Sequence, residues 1–540
     1  MVHSNYIQLF FSFDFYKYLV IKNCRPETYN LLVLLFCLVF SVRWYFMHYK
    51  NKVVAEWPIV GRLPSLILNA HRIHDWTVEI SRGIGPTIIE RGPFFGRVEI
   101  AYTCNPRNAK HVLSAHFSNF HKGQDYTDAL DILGDGLLTA TSSFWVAQRR
   151  TARITFNSKT VRSIIFHKGE LVAHHALLPL LSHISKESSV VDLQDVFLRY
   201  AFDTSVNIIF GQSSNFLSTS FPPNEFAKAI EDAQEVVFYR HLLPSSWWKL
   251  LRRLKIGSIE RKLDAAWKII DRDIAEYIAV KREDMAAKGT KEEADEESDL
   301  LEVYMSIKDG EKDELLLSKM CSDKFFRDTA LTFLIGSRDT IASALSWFFW
   351  LILKNPSVEA KVIEELKLIV QKKNTMAPKH PVVFDADDQT EMVYLHAALC
   401  ESLRLYPSAP IIPKTSIDDD VFPDGTVVKS GMMVLISFYA MGRMEWVWGE
   451  DCLEFKPERW ISEDGKLNPE VMSKLVSFSL GPRNCIGKDM AFVLMKLVAS
   501  AMIYNFHVEV LEGQKIVPTP SIMLKMMNGL MVRVRERVVQ

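Results

Sequence analysis

Cysteine is scarce and unpatterned in this chain. Seven are spread over 540 residues, at Cys24, Cys37, Cys104, Cys321, Cys400, Cys452 and Cys485. None forms a C-x-x-C pair or a short Cys/His cluster, so the common zinc motifs are excluded, and the odd count argues against a disulfide framework. An excess of one charge is also missing: 64 Lys+Arg face 65 Asp+Glu, a net charge of -1. A general nucleic-acid binder needs a cationic surplus to neutralise phosphates, and that class falls away. Internal repeats and long low-complexity linkers are absent. A mean hydropathy of +0.03 is too low for a polytopic membrane protein but permits a single anchor.

Apolar residues, by contrast, are plentiful. They make up 48% of the chain against 24% charged, enough to bury a core that offsets chain entropy. One stretch, LLVLLFCLVFSVRWYFM at 31–47, carries Arg43 as its sole charge. Its length of about 17 residues is at the short end of a bilayer span. No small-residue cleavage site follows; Lys50, Lys52 and WPIVGRLP at 57–64 come instead. The expected organisation is an N-terminal extension (1–28), a membrane anchor with a basic flank (29–52) and one folded domain (53–540).

Helical periodicity dominates that domain, over 196–210, 224–239, 258–282, 324–353, 358–370, 393–405 and 488–503. The longest begins after a candidate cap, Ser322 or Asp323, and stops before Asn355 and Pro356. Its near-continuous apolar run predicts a helix buried on both flanks. Strand signals sit at the two ends, over 87–102 and 521–536, the second alternating around Asn528 and Gly529 as a hairpin does. The charge run KREDMAAKGTKEEADEESD at 281–299 reads as a solvated helix end and surface loop. The fold class expected is mainly α, a single large domain with small β-sheets at its margins.

The chemistry concentrates in FSLGPRNCIG at 478–487, directly before a helical pattern. Phe478, Gly481, Arg483, Cys485 and Gly487 at these spacings arise by chance roughly once in 10⁴ chains. A thiolate that binds iron must be open on one side and stabilised on the other. Cys485 precedes a helix N-terminus, whose free amides and macrodipole favour the anion. Gly481 and Gly487 let the backbone turn tightly and approach the sulfur. Arg483 offers a fork suited to a carboxylate such as a porphyrin propionate, and Phe478 shields the sulfur.

The segment resembles the haem-binding signature of the cytochrome P-450 monooxygenases, and the likeness extends from Trp57 to Val534. Three further motifs follow that family's order: WVAQR at 145–149, ESLR at 401–404 and PERW at 457–460. The resemblance implies that Trp145 and Arg149 contact a haem propionate. It also implies that Glu401, Arg404 and Arg459 form a buried structural network behind the haem. In GSRDT at 336–340 it makes Thr340 and Asp339 the oxygen-activating pair, with Ser337 standing where the family usually has glycine.

The cofactors implied are haem b, held by Cys485 as axial iron ligand, with O2 as co-substrate and NADPH acting indirectly. No G-x-G-x-x-G follows a strand, so electrons must come from a separate protein. The resemblance names it as NADPH–cytochrome P-450 reductase, at the endoplasmic reticulum membrane with the catalytic domain facing the cytosol. DILGDG at 131–136, YLHAALCESLRLYP at 394–407 and WGEDCLEFKPERWI at 448–461 are similar to the plant group that hydroxylates long-chain alkanes and fatty acids. Tyr126, Leu130, Phe333, Ile411, Ile412, Ile522 and Met523 are the candidate contacts for an apolar small-molecule substrate, and membrane lipid is the other partner expected. Three alternatives compete: an alkaloid-oxidising, phenol-coupling member, a haem-thiolate hydroperoxide isomerase, and a non-catalytic haem-binding scaffold. Thr340 counts against the isomerase; Ser337 is the scaffold's only support.

Overall fold

The computed structural model describes residues 35–36, 38–39, 63–91, 99–243, 245–254, 256–288, 297–306, 319–373 and 381–537. The expected anchor at 29–52 lies almost wholly outside them, as does the extension at 1–28. No helix among the described residues is long and apolar enough to cross a membrane.

Nine helices position the site: α1 (Ser142–Asn157), α2 (Lys159–Val172), α3 (Leu193–Phe210), α4 (Glu225–Leu242), α5 (Ser258–Lys288), α6 (Asp323–Lys354), α7 (Pro356–Lys372), α8 (Val393–Leu405) and α9 (Lys488–Asn505). α6 is the axis of the domain. The Ser322 side chain caps it by accepting from the Phe325 amide, and Pro356 opens the next helix after Asn355 ends it. At 1.5 Å per residue it is about 48 Å long, enough to cross the whole domain. Trp347, Phe348, Phe349 and Ile352 are fully buried, and α3, α5, α7, α8 and α9 all pack against it. Neighbours on every side explain why its sequence is apolar nearly all round.

Among the described residues the strands form three sheets. A five-stranded sheet has the order β1 (Thr87–Arg91), β2 (Glu99–Thr103), β8 (Met433–Ser437), β5 (Ile411–Ser416), β3 (Phe120–His121). Only the β2–β8 pair is parallel, with Ile100 opposite Met433. β4 (Val190–Asp192), β10 (Met531–Glu536) and β9 (Phe506–Val510) form a second sheet, and β6 (Asp420–Val421) with β7 (Val427–Val428) a third.

Three sequence expectations need correction. Strands are not confined to the ends: 411–437 supplies β5 to β8. The hairpin expected over 521–536 is not one. Gly529 does turn with a φ of +67°, but β10 pairs with β9 and β4, and 521–525 forms no strand. Leu524 instead accepts bonds from Ser343 and Trp347 of α6, which outcompete a local ladder. The charge run is not solvated throughout either. α5 continues to Lys288, and Lys281 forms a buried ion pair with Asp299, which also caps the short helix Leu300–Met305.

Candidate active site

The loop before α9 holds Cys485 by backbone geometry. Its amide donates to the Phe478 carbonyl at 2.8 Å, and Asn484 donates to Gly481 at 3.1 Å. Gly481 has a φ of +67°, and a Cβ there would fall 2.0 Å from the Leu113 carbonyl oxygen, so only glycine fits. Gly487 differs. Its φ of -91° is ordinary and a Cβ would meet no atom within 4 Å, so the tight turn expected of it is not what it supplies. Its contribution is the amide that bonds the Cys485 sulfur.

Cys485 is exposed, yet burial pushes its thiol up, against the opposing effects of the Gly487 amide, Arg149 and Lys488. A side chain that is accessible and at the same time surrounded by protein opens into an internal space. That is what a metal-binding thiolate inside a dry pocket requires. Phe478 packs near it, 5.4 Å from the Phe492 ring.

On α1, Trp145 and Arg149 lie one turn apart on one face. Arg149 donates to Asn484 of the cysteine loop at 2.5 Å, and the Arg483 guanidinium lies 4.3 Å from the Trp145 ring while donating to the Ala140 carbonyl at 2.7 Å. Two lysines that the sequence reading missed join them. Lys414 of β5 is buried, and burial together with Arg483 lowers its pKa to about 8. Burial, with Lys414 and Arg483, also lowers the pKa of Lys122. Burial brings Arg483 itself down to about 10 and lowers Arg149 as well. No carboxylate pairs with these four cations among the described residues. Clustered, desolvated cations without an acid are stable only with an anionic ligand. A dianionic porphyrin fits both them and the opened thiol. The lysine in IIPKTS, one cation in an apolar strand, was the available signal.

Behind the cysteine loop, Glu401 is fully buried and accepts five bonds: from Arg404 Nε (2.7 Å) and Nη2 (2.8 Å), Arg459 Nε (2.8 Å), Trp460 Nε1 (2.8 Å) and the Lys456 amide (3.0 Å). Arg404 also donates to the Cys452 carbonyl at 2.7 Å and to that of Gly442. The three residues matched to this network do meet, and Trp460 is a fourth member.

On α6, Thr340 is partly exposed and bonds back to the Gly336 carbonyl at 2.6 Å; a Cβ at Gly336 would meet nothing within 4 Å. Asp339 is fully buried. It takes a bond from Gln234 of α4 at 2.7 Å and an ion pair from Lys525 at 2.7 Å, with Arg338 at 3.6 Å. Burial alone would raise its pKa; Lys525, Arg338 and Gln234 outweigh that and hold it at about 2. Lys525 and Gln234 were not anticipated. Ser337 does not reach toward Thr340: its hydroxyl bonds Ser205 of α3 at 2.7 Å and the Phe333 carbonyl at 2.8 Å, fastening two helices.

The apolar candidates divide. Ser408 donates to the Thr340 carbonyl at 2.8 Å and accepts from the Leu524 amide at 2.9 Å, which draws Ile411, Ile412, Ile522 and Met523 toward the middle of α6. Tyr126 lies elsewhere, 4.6 Å from Lys122 and 5.4 Å from His241. Leu130 is buried in the core, and the Phe333 ring packs edge-on against Phe156 and Tyr304. Leu130 is covered by its core neighbours, whereas Phe333 remains partly exposed.

The family model described as cytochrome P450 matches residues 53–532. Cytochrome P450 86B1 of Arabidopsis thaliana is 41% identical over 496 residues, 91% of this chain and 87% of that one. Alkane hydroxylase MAH1 of Arabidopsis thaliana is 36% identical over 507 residues, covering 93% and 98%. Noroxomaritidine synthase 1 of Narcissus pseudonarcissus is 37% identical over 494 residues, covering 91% and 92%. The match of the family model over almost the whole chain and the identity to these relatives, with an accessible Cys485 thiol in its glycine-bearing loop, place this protein in the cytochrome P450 family of haem-thiolate oxidoreductases.

Proposed function

We propose that the protein is a membrane-anchored monooxygenase that hydroxylates a long-chain alkane or fatty acid. The observation that carries the reading is the inward-opening Cys485 sulfur. An iron porphyrin bound there supplies the activation of dioxygen and the insertion of one oxygen atom into a C–H bond.

This chain's residues do the rest. Cys485 would hold the iron through its sulfur, with the Gly487 amide bonding that sulfur and the start of α9 stabilising its charge. Trp145, Arg149, Arg483, Lys414 and Lys122 would hold the anionic propionates of that group. Thr340 presents a hydroxyl from the open face of α6, and Asp339 is the proton donor behind it. Held ionised by Lys525 and itself wholly buried, Asp339 takes its proton by way of the partly exposed Lys525 ammonium and then passes it on. Ile411, Ile412, Ile522 and Met523 exclude water and orient an apolar chain. Electrons derive from NADPH through a separate reductase, and the 31–47 segment anchors the chain at the endoplasmic reticulum with the catalytic domain in the cytosol.

Cys485→Ala tests the ligand. The thiolate-type reduced-CO absorption disappears completely while the circular dichroism spectrum is retained; an unaltered CO spectrum refutes the assignment. For the substrate, a haem spin-state shift is expected with long-chain alkanes or fatty acids. A second reading, oxidative phenol coupling, is favoured by the likeness to noroxomaritidine synthase 1. A shift and turnover with phenolic alkaloids, but none with aliphatic chains, selects it.

A further inference from the structure

Away from the thiolate, a second group of metal-ligating side chains comes together. His111 Nε2 lies 3.2 Å from Asp420 Oδ1, His116 Nδ1 lies 3.1 Å from Asp420 Oδ2, and all three ligand atoms fall within 4.8 Å of one another. We propose that His111, His116 and Asp420 form a binding site for a divalent cation of the zinc class, one that joins the β6–β7 hairpin to the segment supporting the cysteine loop.

The geometry suits that class. Around a tetrahedral zinc with bonds of 2.0–2.1 Å, ligand atoms stand about 3.3 Å apart. Each imidazole nitrogen already lies near this distance from an Asp420 oxygen, His111 from Oδ1 and His116 from Oδ2, and rotation of the half-exposed His116 ring gathers both around one ion. Two imidazoles and one carboxylate select a borderline transition metal over calcium or magnesium, which prefer oxygen. The ligand nitrogens facing Asp420 bind metal with their proton carried on the opposite ring nitrogen. Asn119 donates to Asp420 Oδ2 at 3.1 Å and the Val421 amide to Oδ1 at 2.7 Å, orienting the carboxylate from outside the ligand set. Asp418 and Asp419 precede it in the chain and add negative charge.

Access and consequence both follow from position. The side chains of His111 and Asp420 are 12% and 8% exposed while that of His116 is 52% exposed, so one ligand swings at the surface over two that are fixed. His111 starts a single π turn, His111–Ala115, between an α turn and the 3-10 turn Phe117–Asn119. That π turn contains Leu113, whose carbonyl lies against Gly481 of the cysteine loop. A metal bridging His111 and His116 to Asp420 therefore stiffens the surface on which the Cys485 loop rests.

The test is zinc chloride titration of the EDTA-treated, haem-containing full-length protein by isothermal calorimetry. A Cys321→Ser background removes an exposed thiol as a competitor. One zinc per chain is expected at a Kd of about 1 μM or tighter, with His116→Ala and Asp420→Asn each weakening it at least about tenfold. His183→Ala, which breaks a separate His183–Glu187 surface pair, leaves the affinity unchanged. Because His116 is half exposed, His116→Ala folds even if Asp420→Asn does not. Zinc should also raise the thermal midpoint of the parent and not that of His116→Ala. No binding at about 100 μM zinc, or binding indifferent to His116→Ala, overturns the proposal.

Discussion

Glu401 and Lys414 are both buried charges near the Cys485 loop, and their surroundings are opposite. Every lone pair of Glu401 is engaged, by two arginines, a tryptophan and a backbone amide. Lys414 stands with Lys122, Arg149 and Arg483, and no carboxylate meets any of them among the described residues. A network complete within the chain acts as scaffold. A network that lacks its counter-charge is arranged for something that brings it.

The comparison breaks most readily at Glu401. Glu401→Gln leaves two buried guanidinium groups without their shared anion and should cost about 3–5 kcal/mol in urea unfolding. A loss under about 1 kcal/mol would mean the network is not the scaffold described.

Lys414→Met sharpens it from the other side. Haem should dissociate about tenfold faster, whereas the apoprotein should be no less stable, since the cation removed had no partner. The pH dependence has a defined sign. The folded pKa of Lys414, about 8, is below the ordinary 10.5, so the unfolded chain binds more protons between these values. Apoprotein stability therefore rises from pH 8 toward 10.5, and Lys414→Met flattens that rise. An apoprotein destabilised by Lys414→Met would contradict the contrast.

On α6, the Thr340 hydroxyl bonds back within its own helix, so Thr340→Ala should alter stability by less than about 1 kcal/mol. Product formed per NADPH should nevertheless fall roughly tenfold, with peroxide released in its place. Unchanged coupling removes Thr340 from the proton path. The smallest effect is expected for Ser337→Ala, which loses the Ser205 bond at about 1 kcal/mol and leaves coupling intact. Uncoupling as large as that of Thr340→Ala would place the Ser337 hydroxyl in the relay.

Much of this was written locally. The period and caps of α6, from Ser322 to Asn355, follow from neighbours in sequence, as do the Cys485 loop and its helix. The ESLR and PERW residues could be paired only because their order resembles that of a known family. The two ends of 281–299 could not: a run of charge looks solvated until Lys281 finds Asp299. Nor could β8, whose partner β2 lies more than three hundred residues earlier.

The sequence by itself determined the helical domain through short-range periodicity and the loop of Cys485 through its fixed spacing, while the acid–alcohol pair and the scaffold around Glu401 were legible in it only through resemblance to a family. Tertiary structure alone decided which cations gather without an acid, that Lys525 and Gln234 hold Asp339 as a carboxylate, and that Ser337 fastens α6 to α3. The physical reason is the same in each case. The charge state and direction of a buried polar group depend on desolvation and on partners brought from distant segments, and neither exists until the chain has packed.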